Sequence, residues 1–270
     1  MPERARADRL LLTLALALLL AVGVAPSATA QTDPSLQPSE DPEGRWRGSG
    51  ITTPEQGAVH PRAELDVAGR FTYRKRVPGQ RIVAATVEVA PDGFEPAASC
   101  EVPPPQAVPG DQPRPSDFDM GRPATLDFEV PGLRLSCNGR YLVHATAQLE
   151  DGTRWSMQTR LGVAVAPPQV DEVTVDLDAE ARAATVAFSP LAAESRAPDA
   201  AGYLVERAGP DDDVFVEVAT VSEDDEPRMV DDLTAAEPGR FTYRVRPLRA
   251  GVDGPVPSDP ATATTADIQL

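Results

Sequence analysis

Short stretches in which apolar and polar residues alternate recur along most of this chain, and they constrain its fold more than any other feature. The clearest in the first half are Ile82 to Val89, Thr125 to Val130, Tyr141 to Leu149 and Arg160 to Val165. They contain β-branched and aromatic residues and are separated by turn signals such as Pro-Gly and Asp-Gly. Alternation is typical of half-buried antiparallel strands, because successive side chains point to opposite faces. Helical spacing is nearly absent after the amino-terminal region, so the sequence predicts an all-β protein.

A second set of alternating stretches begins after Ala166-Pro167-Pro168. Consecutive prolines end a strand and stiffen a connector, so we expect a domain boundary there. The strands expected after the boundary are Val173 to Leu177, Ala183 to Phe188, Tyr203 to Arg207, Val214 to Val221, Phe241 to Arg246 and Thr262 to Thr265. Six or seven short strands in about 100 residues make one β-sandwich. The sequence therefore predicts two tandem antiparallel β-sandwiches, residues 45–166 and 167–270.

The second segment resembles a fibronectin type III module over residues 168–266. The stretch AGYLVERA, from Ala201 to Ala208, resembles the third strand of that family, with Tyr203 and Val205 facing the core. The stretch FTYRVRPL, from Phe241 to Leu248, follows a Pro-Gly corner and resembles the sixth strand. The resemblance implies a β-sandwich with a binding or spacing role.

Two positions depart from that family. Phe188 stands where the family usually has a tryptophan, which reduces the volume of the core. Phe241 stands at the tyrosine-corner position and lacks the hydroxyl group, which removes a hydrogen bond worth about 1 kcal/mol. Neither change threatens the fold.

The first segment, residues 45–166, shares strand sequences with the second. The stretch GRYLVHATAQL parallels GRFTYRVRPL of the second segment, and its Tyr141 has the corner hydroxyl. An immunoglobulin domain would place a tryptophan between its two cysteines, whereas Trp46 precedes both cysteines and Trp155 follows both. We therefore predict a segment that is immunoglobulin-like in architecture only.

The amino terminus has the pattern of a secretory signal peptide, residues 1–30. Three arginines precede an uncharged, predominantly apolar run from Leu10 to Ala25, and Ala28 and Ala30 supply the small residues that signal peptidase recognises. Cleavage would leave Gln31 as the first residue. The alternative is an uncleaved anchor helix, but the run is shorter than the roughly 20 residues that span a bilayer. Residues 31–44 are polar, proline-rich and acidic, which predicts a disordered leader.

The two cysteines, Cys100 and Cys137, are expected to form a disulfide in an oxidising compartment. The bond would stabilise the fold by about 3–4 kcal/mol in the chain-entropy model. A metal site or a catalytic thiol has less support, because His60 and His144 are the only histidines. The ring would enclose the proline-rich stretch 101–122, which either presents a constrained surface to a partner or caps a sheet edge.

No motif for catalysis, cofactor binding or metal binding appears. The chain has no G-x-S-x-G turn, no H-E-x-x-H sequence and no glycine-rich phosphate loop. Trp46 and Trp155 are candidates for stacking on a ligand, with core packing as the alternative. Acidic runs at 211–213, 223–226 and 231–232 could hold calcium or could be solvated surface charge.

The net charge and the predicted signal peptide together define the expected function. With 25 basic and 42 acidic residues the formal net charge is −17, which argues against a nucleic-acid partner. We expect a secreted, non-catalytic interaction or spacer protein of the bacterial cell envelope or extracellular space, with an unidentified protein or polysaccharide partner. The alternative is a carbohydrate-binding accessory protein or weak glycosidase.

Overall fold

A computed structural model describes residues 38–110, 112–210 and 212–264. These residues form sixteen β-strands in four sheets and contain no α-helix, which confirms the predicted all-β class. No helix in the described ranges is long and apolar enough to cross a membrane. The predicted signal peptide and its cleavage residues, Ala28, Ala30 and Gln31, lie outside the described residues.

The first sandwich packs a three-stranded sheet, β1-β3-β6, on a five-stranded sheet, β2-β8-β7-β4-β5. All pairs are antiparallel except β2 with β8. Its strands are β1 Gly50–Thr53, β2 Val59–His60, β3 Glu64–Tyr73, β4 Ile82–Pro91, β5 Gln106–Pro109, β6 Ala124–Arg134, β7 Gly139–Leu149 and β8 Arg154–Val163.

One apolar core fills the space between these two sheets. Phe71 from β3 and Phe128 from β6 meet the buried faces of β4, β7 and β8. Val143 and Leu149 on β7 have no exposed surface. The alternation of the sequence therefore directs one side of each strand into this core.

The second sandwich packs the sheet β13-β10-β9 on the sheet β12-β11-β14-β15, and β16 also pairs with β14. Its strands are β9 Val173–Asp178, β10 Ala183–Phe188, β11 Ala200–Ala208, β12 Val216–Val221, β13 Arg228–Asp232, β14 Thr242–Arg249, β15 Val256–Pro257 and β16 Ala261–Thr264.

A separate apolar core lies between these sheets and contains both residues that the sequence placed there. Tyr203 is 2% exposed and Val205 has no exposed surface. Phe188 occupies the expected tryptophan position, with its ring centroid 4.8 Å from that of Tyr203. The hydroxyl of Tyr203 accepts a hydrogen bond from the backbone nitrogen of Leu191 at 3.0 Å, so its polar end is satisfied inside the core.

Residues 38–44 differ from the expectation of a disordered leader over 31–44. The backbone nitrogen of Ser39 donates to the carbonyl of Ser156 at 3.0 Å, and the nitrogen of Ser156 donates to Ser39 Oγ at 3.1 Å. Asp41 accepts a bond from the backbone nitrogen of Trp46 at 2.8 Å. The two Ser39 bonds attach the segment to β8, and the Asp41 bond joins it to Trp46.

The proline-rich stretch 101–122 also contains more regular structure than a polyproline loop. Its residues Gln106–Pro109 form β5, which pairs with β4 and covers the edge of the five-stranded sheet. Residues Pro115–Phe118 form a 3-10 turn. The first part of the stretch therefore caps a sheet edge, which is one of the two roles expected for it.

Candidate functional site

The two sandwiches meet at a polar junction built around Asp199 and Arg249. Asp199 lies just before β11 and Arg249 ends β14, and their side chains are 6% and 8% exposed. Arg249 Nε donates to Asp199 Oδ1 at 2.8 Å. Arg249 Nη2 also donates to the carbonyl of Ser136 in the first sandwich at 3.0 Å. Both residues of the ion pair therefore lie in the second sandwich, and Arg249 also forms a hydrogen bond to the backbone of the first sandwich.

The opposing side of the junction is the segment Ser136 to Asn138. The backbone nitrogen of Asn138 donates to Asp199 Oδ2 at 2.6 Å. The side chain of Asn138 then holds Val165, donating to its carbonyl at 2.9 Å and accepting from its nitrogen at 2.7 Å. One asparagine thus fixes the chain just before the Ala166-Pro167-Pro168 connector.

The predicted disulfide between Cys100 and Cys137 is present and is centred in this segment. The two Cα atoms are 5.6 Å apart. Glu101 N donates to Ser136 Oγ at 2.6 Å, which adds a hydrogen bond beside the covalent link. The disulfide therefore anchors the backbone groups that receive the second sandwich.

Tyr141 supports the same segment from inside the first core. Its hydroxyl donates to the carbonyl of Cys137 at 2.8 Å, the bond expected of a tyrosine corner. Burial raises the pKa of Tyr141 to about 12, and the negative charge of Asp199 adds to the effect. The hydroxyl therefore stays protonated and remains a donor at neutral pH.

A second group of contacts widens the junction. Arg140 Nη2 lies 2.9 Å from Asp253 Oδ1 in an exposed ion pair. Val252 packs on Gly162, where an added Cβ would lie 2.9 Å from Val252 Cγ2. A side chain at Gly162 would therefore force the side chain of Val252 to shift. A cavity of about 580 Å³ lies beside these residues.

The other end of the first sandwich carries a basic cleft made of two adjoining cavities of about 370 and 180 Å³, which share Lys75 and Pro123. Its basic lining residues are Arg45, Arg47, Arg74, Lys75, Arg81, Arg114 and Arg122. Among the described residues, Asp117 is the only acid lining either cavity. The cleft is therefore a positive site on a strongly acidic protein.

Neutralisation within the basic cleft is uneven. Arg81 pairs with Glu150 at 3.2 Å. Across the described ranges, Arg47 and Arg74 lie within ion-pair distance of no carboxylate. Both arginines are exposed and line the larger cavity, where no described residue is acidic. An anionic group could therefore reach both without displacing a partner.

Apolar side chains surround the basic cleft. Phe118 is 68% exposed, Val77 is 55% exposed, and Met120, which lines the larger cavity, is 44% exposed. Phe118 and Met120 belong to the second part of the proline-rich stretch. Arginine, methionine and aromatic residues together are the composition of protein interface centres.

Trp46 and Trp155 stack on each other, and both line a cavity of about 210 Å³. Their rings are 5.0 Å apart with an interplanar angle of 7°. Trp46 is only 6% exposed, and the ring of Tyr73 lies 4.8 Å from it. The burial of Trp46 and the stacking of the two rings favour the core-packing alternative.

In the part of the chain that the structure describes, the remaining candidate residues, the two histidines and the acidic runs, do not form one site. In the five-stranded sheet His60 lies opposite Val163, whereas His144 lies opposite Gln158, so the histidines are at different levels. In the described ranges no three His, Cys, Asp or Glu side chains are placed to hold a metal ion.

Asp231 is not the solvated surface charge expected for its acidic run. Asp231 is 9% exposed on β13 and pairs with Arg207 at 2.6 Å. Its Oδ2 also accepts a hydrogen bond from the hydroxyl of Tyr243 at 2.7 Å. Burial and this bond raise the pKa of Tyr243. Asp231 is therefore a buried hydrogen-bond acceptor. Its position in a run of acidic residues gave no indication of this role.

Comparison with known proteins gives similarity of fold alone. No family model and no curated protein matches the chain. Similar solved structures include a two-domain fibronectin type III segment of chicken tenascin, at 14% identity and a TM-score of 0.39, covering 82% of this chain and 98% of that one. A tetra-tandem repeat of a large adhesion protein has 14% identity, a TM-score of 0.39, and coverage of 81% and 48%.

The FN1-FN3 domains of chicken CNTN1 are also similar, at 12% identity and a TM-score of 0.32. The match covers 78% of this chain and spans 63% of that one. The strand pairing described above confirms the fibronectin type III-like β-sandwich expected for residues 168–266.

Sequence reasoning missed the junction residues and the basic cleft. One weak signal for these sites was the rarity of two residue types. Asn138 is the only asparagine in the chain, and Lys75 is the only lysine. Asn138 is 3% exposed and Lys75 is 4% exposed. Both residues make their bonds across long sequence separations, which no local pattern records.

Proposed function

We propose that this chain is an exported, non-catalytic interaction and spacer protein whose two β-sandwiches are held in one fixed orientation. The observation that carries the proposal is the buried Asp199–Arg249 pair, which bonds to the backbone of Ser136 and Asn138 across the junction. A spacer has to hold its ends at a defined separation. A junction of buried, satisfied charges supplies that rigidity, because separating the sandwiches would leave those groups without their partners.

Export is supported by the disulfide and by the amino-terminal pattern. Disulfides persist in oxidising compartments and are rare in the cytosol. The Cys100–Cys137 bond supports the junction segment directly, so the spacer role and an extracellular or envelope location depend on the same residues.

The alternative, a carbohydrate-binding accessory role, has less support. Sugar sites usually present an aromatic face to solvent, and the two tryptophans proposed for it cover each other. A glycan array tests this alternative. Affinity for one polysaccharide that is lost in Trp155→Ala, with the fold retained, would favour it over the spacer role.

Small-angle X-ray scattering on dilute mature protein tests the fixed junction. We expect one orientation of the sandwiches to fit the wild-type curve. We expect Asp199→Ala to require a range of orientations and a larger maximum dimension. Asp127→Ala, which removes one partner of the exposed Arg70–Asp127 pair, is the control and should scatter like the wild type. A wild-type curve that already requires a range of orientations would refute the spacer proposal.

A further inference from the structure

The basic cleft has a counterpart at the far end of the second sandwich. Six exposed acidic side chains gather there, and no arginine or lysine of the described ranges pairs with them: Asp178, Glu180, Asp212, Asp213, Asp232 and Glu237. Val214, which is 64% exposed, lies beside Asp212 and Asp213. We call this surface the acidic end.

Strand registers place the basic cleft and the acidic end at opposite ends of the two-sandwich body. Strand β7 starts beside the junction at Gly139 and ends at Leu149, next to the Glu150 that pairs with Arg81 of the cleft. Strand β10 starts at Ala183, opposite Asp178 and Asp232. Strand β11 runs from the junction to Ala208, opposite Thr242. Each charged surface therefore lies at the end of its sandwich away from the junction.

We propose that the basic cleft of one molecule binds the acidic end of a second copy of this chain, in a head-to-tail contact. Arg47 and Arg74 would meet the carboxylates of Asp212 and Asp213. Phe118 and Met120 would cover Val214. The two surfaces match in both properties, since unneutralised cations and apolar side chains face unneutralised carboxylates and an apolar side chain.

Such a contact joins two different surfaces, so it does not close on itself as a two-fold dimer does. Repetition of a heterologous contact gives an open chain or a ring. The proposal builds on the interaction and spacer role, because a fixed junction between the two ends would set the spacing of the repeat.

The net charge of −17 opposes association most strongly at low ionic strength. At about 0.15 M salt the Debye length is about 8 Å, so distant like charges are screened while charges in contact still attract. The contact pairs are exposed, and exposed pairs are individually weak. We therefore expect reversible association that becomes weaker at higher salt.

Sedimentation equilibrium of the mature wild-type protein tests the proposal. Because exposed charge pairs bind weakly, the range should extend from about 5 to about 500 µM. The weight-average mass should rise with concentration at about 0.15 M salt and fall back toward that of the monomer at about 1 M salt. Arg47→Glu/Arg74→Glu should stay monomeric, as should Asp212→Arg/Asp213→Arg.

A mixture of the two variants should associate, because one supplies an intact basic cleft and the other an intact acidic end. Arg134→Glu/Arg228→Glu is the matched control. It makes the same change in net charge as Arg47→Glu/Arg74→Glu, at exposed positions outside both surfaces, and it should associate like the wild type.

Two outcomes would overturn the proposal. One is a wild-type protein that stays monomeric over the whole range. The other is binding of polygalacturonate through Arg47 and Arg74 without self-association, which would assign the cleft to an acidic polysaccharide. Either outcome leaves the junction untouched, because the scattering test is made on dilute monomer, so the spacer role can stand when the head-to-tail contact fails.

Discussion

Arg249 and Asp199 form a nearly buried ion pair at 2.8 Å that belongs to the second sandwich and binds the backbone of the first. Two apolar cores lie on either side of it. The two sandwiches therefore have separate cores and a shared polar junction. A chain with this arrangement has one core for each of its two parts.

Asp199→Ala should lower the free energy of unfolding by about 3–5 kcal/mol, because it leaves the buried charge of Arg249 without its partner. Urea unfolding followed by circular dichroism measures the change. Asp127→Ala, which breaks an exposed pair, should leave the free energy of unfolding nearly unchanged. Equal losses in the two variants would show that the junction pair is not buried in solution.

Removing the disulfide with Cys100→Ser/Cys137→Ser should lower the free energy of unfolding by about 3–4 kcal/mol, because the unfolded chain regains the entropy of the open loop. Guanidinium unfolding of the oxidised protein and of the variant gives the difference. Intact-mass analysis of alkylated native protein is the accompanying check. Alkylation of both cysteines without denaturant would contradict the bond.

Stability should fall as the pH rises above 10. The unfolded chain loses its tyrosine protons near pH 10.0, the ordinary pKa of a tyrosine side chain, whereas Tyr141 in the folded protein keeps its proton to about pH 12, and the pKa of Tyr243 is shifted the same way. The folded state then binds more protons than the unfolded state, so the free energy of unfolding decreases with pH. The stability that these two tyrosines contribute is fully present below pH 10. It is lost as the pH rises through their pKa values in the folded protein.

The expected slope is about 1.4 kcal/mol per pH unit for each of these tyrosines. Urea unfolding between about pH 9 and pH 11.5 spans the onset, because the change begins at the unfolded-state pKa. Tyr141→Phe/Tyr243→Phe should flatten the profile. A slope that is the same in wild type and double variant would assign the pH dependence to other groups.

Tyr203→Ala should lower the free energy of unfolding of the second sandwich by about 3–5 kcal/mol, because it leaves a cavity where the ring meets Phe188. Tyr203→Phe should cost about 1–3 kcal/mol, since Leu191 N loses its acceptor. Thermal unfolding of a fragment spanning residues 168–270 measures both. Val230→Ala, at a side chain that is 65% exposed, should change stability by less than about 0.5 kcal/mol.

Exported protein should begin at Gln31. Signal peptidase cuts after a small-x-small pattern, and Ala28 and Ala30 supply it. Amino-terminal sequencing of protein recovered from the medium or the periplasm checks the position. Recovery with the run from Leu10 to Ala25 intact would make the protein membrane-tethered and would refute cleavage.

The sequence was most informative where neighbouring residues decide the structure. Alternation predicted Ala183 to Phe188 as a strand, and β10 has these bounds. The resemblance to the fibronectin type III family implied that Tyr203 and Val205 face the core, and the two-residue period of a strand is the reason that both are buried on the same face. The cysteine count predicted the disulfide, because the chain contains just two cysteines.

Sequence reasoning failed where a polar side chain has a distant partner. Asp231 stood in an acidic run that read as solvated charge, yet the fold pairs it with Arg207 and Tyr243. Trp46 and Trp155 are 109 positions apart in the sequence. Their stacking depends on the packing of the residues before β1 against β8.

By itself, the sequence determined the all-β class, the tandem sandwiches and the disulfide, because strand period, turn residues and cysteine number are local or compositional properties. Only the tertiary structure decided that Asp199 and Arg249 would join the sandwiches and that scattered arginines would form one basic cleft. The physical reason is that charge pairing and burial depend on distances in space. Those distances are set by how strands separated by many residues lie beside one another.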